Sequence, residues 1–140
     1  MSRQNVELIQ VAYRRVNEGG FAAIADLIHP NFELDSPQGI EASQAHDKAG
    51  LREWFAKMDE IWEELRFEPE DVIDVDVTRV VAVVRTSGRA KGSGMEIEQQ
   101  LTHLWTIVGG KAAALATFDT KQQALEAASR TSDASVDTSR

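Results

Sequence analysis

Residues 95–118 read MEIEQQLTHLWTIVGGKAAALATF. Character that changes at every second position marks extended backbone, because successive residues of a strand point to opposite faces. Gly109-Gly110 divides the stretch as a two-residue hairpin, a connection that needs positive φ and so favours glycine. The stretch therefore predicts a long strand over Met95–Val108 that returns as a last strand over Lys111–Phe118. Met95, Ile97, Gln99, Leu101, His103, Trp105 and Ile107 share one face of the long strand, which is apolar apart from Gln99 and His103.

Upstream the same period continues. Val80–Arg89 is a β-branched run that reads as a central strand, closed by a turn at Gly92-Ser93-Gly94. Before it, Asp71, Ile73, Val75 and Val77 take one face of a further strand and Val72, Asp74 and Asp76 the other, with Thr78-Arg79 as a tight turn. Sequential hairpins of this kind predict an antiparallel meander. Ahead of residue 65 the period is helical. Leu51, Trp54, Phe55, Met58, Ile61, Trp62 and Leu65 follow the i, i+3, i+4, i+7 spacing, and Asp47 stands where a helix N-cap belongs.

Val6, Ile9, Ala12, Tyr13 and Val16 predict a first amphipathic helix that stops at Gly19-Gly20. A short second helix follows, with Phe21, Ile24, Ala25, Leu27 and Ile28 on its buried side. His29-Pro30 ends it, since the residue before proline avoids helical angles. Asn31–Ser36 alternates as a strand, Pro37-Gln38-Gly39 breaks it, and residues 40–46 read as a polar loop. After the last strand, Thr120 and Gln123 form a capping box for a short C-terminal helix carrying Ala124, Leu125, Ala127 and Ala128. The expected organisation is one domain over residues 1–130 and a loose polar tail over 131–140, in the α+β class with helices on one face of the sheet.

The chain has 140 residues, enough for one domain with a substantial core. Its formal net charge of −8 argues against a nucleic-acid partner, which demands a basic face. It has no cysteine, so disulfides and thiolate metal sites are excluded. Residues 1–5 hold no apolar signal segment, and no apolar run reaches the roughly 18 residues of a membrane span. The expectation is a cytoplasmic protein without a membrane partner.

In this order, Tyr13–Gly20, Leu27–Leu34, His103–Thr106 with Gly109-Gly110-Lys111, and Phe118-Asp119 followed by Ala124–Ala128 resemble the NTF2-like superfamily, and within it the SnoaL-like proteins. The resemblance covers roughly residues 3–130. It implies a cone, in which a strongly bent antiparallel sheet wraps the N-terminal helices and leaves a pocket against the long third helix. It also implies a homodimer through the outer sheet face. The superfamily includes polyketide cyclases, ketosteroid isomerase, limonene-epoxide hydrolase, dehydratases and non-catalytic binding modules, so the fold leaves function open.

The resemblance directs attention to a carboxylate on the first strand, here Asp35 or Glu33. Alternation puts Phe32, Leu34 and Ser36 on the apolar, inward face and Asp35 outward, unless a bulge at Pro37 re-aims it. Tyr13, the single tyrosine, is the candidate oxyanion donor, but it lies one residue past the place implied, about 100° around the helix. Its alternative role is in the core with the hydroxyl bonded locally. The cyclase-like and hydrolase-like relatives place acids on later strands, the epoxide hydrolases with an arginine between two of them. Arg85 has no carboxylate among Val83, Val84, Thr86 and Ser87, and Asp119 is the first acid on or after the last strand.

His103 is the candidate general base, since an unperturbed imidazole titrates near neutrality; the alternative is a satisfied core histidine. Arg85 or Gln99 would help it orient a polar ligand group, or would instead face the dimer partner. His46, before the third helix, is a second candidate, and His29 reads as a cap. The three histidines have no metal-ligand spacing, so neither a metal nor a cofactor is expected. Trp54, Phe55, Met58, Trp62, Trp105 and Phe118 are candidate pocket walls, read equally as core. The small Ala112, Ala114 and Ala116 leave space opposite the long helix, which close packing requires something to fill. The expected partner is thus a small apolar molecule, handled either by a cofactor-free cyclase, isomerase or hydrolase-like site or by a non-catalytic binding or dimerisation module.

Overall fold

The computed structural model describes residues 2–36 and 43–138. Helix α1 spans Ser2–Ile24 and runs into a 3-10 turn at Ala25–Leu27. Strand β1 is Ile28–Ser36, β2 is Ser43–Ala45 and helix α2 is Lys48–Ile61. Then come β3 (Trp62–Asp74), β4 (Arg79–Ala90), β5 (Glu96–Val108), β6 (Lys111–Phe118) and helix α3 (Lys121–Thr138). The six strands form one curved sheet in the order β2-β1-β6-β5-β4-β3.

The α+β class and the meander over β3–β6 stand as expected, but the sheet is mixed rather than antiparallel. β1 lies parallel to β6, with Leu34 beside Leu115. Local hairpin signals report only consecutive strands. The chain leaves β1 through β2 and α2, crosses the sheet by three antiparallel strands and returns beside β1 in the same direction.

Gly20 breaks α1 as the sequence predicts, at φ 67° and ψ −153°, a region essentially reserved for glycine. Ile28 does not belong to a second helix. It opens β1 and pairs with Ala112, and His29-Pro30 falls where the pairing slips between Ile28 and Glu33. A proline is tolerated in a strand at such an irregularity. Ser43–Ala45, expected within a polar loop, pairs with β1 through Leu34 and Ala45. The break expected at Pro37-Gln38-Gly39 lies outside the described residues.

Asp47 caps α2, its carboxylate accepting from the Gly50 N–H at 2.7 Å. The helical spacing overran the helix end, however. Trp62 is already extended (φ −118°, ψ 141°), and Trp62 and Leu65 belong to β3, where Trp62 pairs with Ala90. Pairing with β4 outweighs a helical pattern that persists by coincidence for one more turn. β3 is a sheet edge, and Asn17 of α1 covers part of it. The Asn17 amide donates to the Phe67 carbonyl and accepts from the Phe67 N–H, both at 2.8 Å, as a neighbouring strand would.

The inner sheet face, with Val80, Ala82, Val84, Leu101 and Trp105, packs on α1 and α2 around the buried Ile9, Phe32 and Leu51. The helices are not confined to this face. α3 covers part of the outer one, where Ala124 and Ala128 meet Val81 and Leu104. The capping box is formed: Thr120 Oγ1 accepts from the Gln123 N–H, and Gln123 Oε1 accepts from the Thr120 N–H. Arg79, buried, donates to the Ala128 carbonyl and to Asp76, each at 2.8 Å, and ties α3 to β4. None of the described helices is long and apolar enough to cross a membrane.

Candidate functional site

A largely apolar cavity lies between α1, α2 and β1 on one side and β3, β5 and β6 on the other. α1 contributes Ala12, Tyr13 and Val16; β1 contributes Phe32, Leu34 and Ser36; α2 contributes Leu51, Trp54 and Phe55. Phe67, His103, Trp105 and Leu115 supply the sheet wall. The cavity offers about 50 Å³ to the centres of water-sized molecules, within about 550 Å³ of empty space that includes its open mouth. The smaller figure measures the enclosed part, because the larger one counts solvent. It exceeds the ~10–15 Å³ that one water needs and falls below the ~150 Å³ of a cavity that holds benzene, so a ring-sized ligand would extend into the open mouth.

Two sequence candidates meet inside this wall. Tyr13 Oη lies 2.8 Å from His103 Nδ1, and the rings stack with centroids 5.9 Å apart. Trp105 Nε1 donates to the same hydroxyl at 2.8 Å, its ring edge-on to Tyr13. Tyr13 reaches β5 from α1, whose backbone packs chiefly on β3 and β4. All three residues are buried, at 4%, 2% and 8% exposure. An indole N–H only donates, so Tyr13 accepts from Trp105 and keeps its own hydrogen to give. Donation to His103 Nδ1 requires the neutral imidazole with its proton on Nε2. A second polar pair adjoins the first: the Thr117 hydroxyl donates to Ser36 Oγ at 2.9 Å, and Thr117 faces His103 across the β5–β6 ladder.

Arg85 is not part of this site. It sits on the outer face, half-exposed, and donates to Glu70 Oε2 at 2.8 and 3.0 Å and to Glu98 Oε1 at 3.0 Å. The carboxylates missing from its own strand come from β3 and β5, so an acid–arginine–acid group does exist, but facing away from the cavity. A reading along one strand cannot see cross-strand neighbours. The Gln100 amide and the Arg85 guanidinium together hold the Glu70 carboxyl below its ordinary value, while Glu70 and Glu98 push Arg85 up. Arg89 is likewise paired with Glu63 and Glu64.

Asp35 is exposed on the face opposite Leu34 and Ser36, and the bulge considered at Pro37 lies outside the described residues. Trp54, Phe55 and Trp105 line the cavity as expected. Met58 is buried in the same core but does not line it. Trp62 packs by Leu65 and Gly88 on the far part of the sheet. Gln99 lies on the inner strand face outside the cavity. Phe118 points to the outer face and packs under α3. His46 pairs at 3.3 Å with Glu33 on the exposed side, and His29 Nδ1 accepts from the Asn31 N–H.

Ala112, Ala114 and Ala116, expected to leave the space, do not line the cavity. Ile107 pairs with Ala112 but Thr106 pairs with Ala114, so Ala113 is an extra residue and the strand changes face there. Ala114 and Ala116 consequently turn outward, and Leu115 and Thr117 turn in. Ser36 and Phe32 were legible as cavity residues from strand alternation alone; Phe67 and Leu115 were not, because irregular pairing precedes each of them. Among the described residues, no cluster of histidines and acids is placed to hold a metal ion.

Comparison with known structures places this geometry. An NTF2-like protein of unknown function from Burkholderia pseudomallei superposes with a TM-score of 0.73 at 14% identity, covering 88% of this chain and 95% of that one. TerC, co-crystallised with polyporic acid, gives 0.71 at 22% identity, covering 88% and 98%. A putative SnoaL-like polyketide cyclase from Jannaschia sp. CCS1 gives 0.70 at 19%, covering 83% and 85%. At these identities the likeness establishes the fold alone. No curated protein matches the chain. The SnoaL-like domain model matches residues 9–115, from the first helix to the last strand, and the chain therefore belongs to the SnoaL-like domain family.

Proposed function

We propose that the cavity binds a small, largely apolar cyclic molecule and that Tyr13 and His103 engage its polar group, transferring a proton without a cofactor. The observation that carries this reading is a hydroxyl–imidazole pair buried in an otherwise apolar wall. When His103 takes up a proton, Nδ1 becomes a donor to Tyr13 Oη, and the Tyr13 hydrogen turns to another acceptor. The pair can thus hold one proton while offering a donor for a developing oxyanion. TerC, a protein of the same fold co-crystallised with a small molecule, supports the reading.

A second reading is a binding module without catalysis. It is favoured by the cavity wall itself, which contains no aspartate or glutamate among the described residues. 1-Indanone, a bicyclic ketone with exchangeable protons beside its carbonyl, separates the two. Binding to the wild type, with deuterium exchange at those protons above the buffer rate, is the expected result. Loss of that exchange by about 10²-fold or more in His103→Gln and Tyr13→Phe identifies them as catalytic residues. Binding without exchange assigns the non-catalytic role, and no binding at all removes both. We further infer association of two copies through the outer sheet face, as the family resemblance implies; a single-chain mass in sedimentation at micromolar concentration would rule it out.

A further inference from the structure

Trp54 is 93% buried, being 7% exposed, and it lines the cavity, yet its indole N–H has no acceptor among the described residues. Buried donors are nearly always satisfied, because a donor stripped of water and left unpaired is costly. The other unpaired buried side-chain atoms, Arg79 Nε and Gln99 Nε2, belong to residues that do not line the cavity. The indole is also held in place. Phe55 abuts it edge-on, with centroids 4.9 Å apart and planes at 87°, and Phe55 is in turn braced by Phe21 at 5.7 Å.

We propose that the Trp54 N–H is a recognition donor, and that the ligand of this cavity carries a neutral hydrogen-bond acceptor, a carbonyl or ether oxygen, which takes it. The inference rests on the cavity being a ligand site, as argued above, and specifies which ligands it accepts. An indole N–H only donates, so the ligand atom must accept. The acceptor is neutral because the wall contains no lysine or arginine to offset a buried carboxylate. Trp54 thereby makes the cavity discriminate an oxygen-bearing ring from the matching hydrocarbon.

The test compares 1-indanone with indane, its hydrocarbon counterpart, by titration of the full chain. The ratio of the two affinities cancels their different hydrophobicity. It is expected to fall at least about fivefold from the wild type to Trp54→Phe, the loss of one hydrogen bond to a buried donor. On the wild type alone, the Trp54 indole N–H resonance is expected to shift with 1-indanone and to stay near its free position with indane. It is assigned among the three tryptophans with the Trp62→Phe and Trp105→Phe variants. This second measurement decides the matter should Trp54→Phe fail to fold. An affinity ratio unchanged within twofold, or an indole resonance indifferent to the ketone, overturns the proposal while leaving the cavity as a ligand site. Failure of both probes to bind the wild type overturns the cavity reading and this inference with it.

Discussion

The hydroxyl of Tyr13 stands 2.8 Å from Nδ1 of His103, joining the first helix to the central strand across 90 residues of sequence. Trp105 donates to the same oxygen, so three buried side chains depend on one hydroxyl. Tyr13→Phe keeps the ring and removes that oxygen. It leaves the Trp105 N–H without its acceptor and His103 Nδ1 without its partner, for a cost of about 1–3 kcal/mol. Urea unfolding should report it as a lower midpoint at unchanged slope. A midpoint equal to that of the wild type would mean that the hydroxyl contributes nothing to stability.

Asp76 provides the acid sensitivity. Burial opposes its ionisation, but the Thr78 N–H and hydroxyl and the Arg79 guanidinium outweigh burial and hold its carboxyl below its ordinary value. A carboxyl lowered in the folded state adds stability that is complete above its unfolded value, about 3.9, and is lost as pH falls through the folded value. Wild type should therefore exceed Asp76→Asn in stability at neutral pH, and the two should converge in acid, below about pH 3.9. Thermal unfolding of both across pH 2–7 checks the sign; a difference that grows in acid contradicts it.

Asn17→Ala removes the clamp that stands in for a strand partner on β3. Two hydrogen bonds to the backbone of Phe67 are lost, and the edge of the sheet opens to water. The expected cost is about 1–3 kcal/mol, concentrated locally. Amide exchange at Phe67 should speed up more than at Val81 or Leu104, whose strands lie inside the sheet. Uniform acceleration along all strands would show that Asn17 acts on global stability instead.

Ending the chain after Arg130 should leave the unfolding temperature within a degree or two. Ala124 and Ala128, the buried contacts of α3, are retained, as is the carbonyl of Ala128 that receives Arg79. A drop of many degrees would assign the 131–140 stretch a structural part and refute the domain limit read from its composition.

What the amino-acid sequence determined by itself was everything set within one element or between neighbours. The glycine turns, the Asp47 cap, the Thr120–Gln123 box and the inward face of β1 each depend on residues a few positions apart, where spacing alone fixes the geometry. Tyr13 and His103 were both legible as candidates for the same reason, each on the buried side of its element.

Only the tertiary structure decided that their polar atoms meet, since a hydroxyl and an imidazole 90 residues apart touch only once α1 packs on the inner face of the sheet. It also decided the parallel pairing of β1 with β6, the end of α2 before Trp62, and the carboxylates around Arg85. In each of these the deciding neighbour comes from another strand. Even the cavity wall turned on one inserted residue, Ala113, which exchanged the faces of Ala114 and Leu115. A period of two carries no memory of such a slip, and the register that corrects it is written in the partner strand.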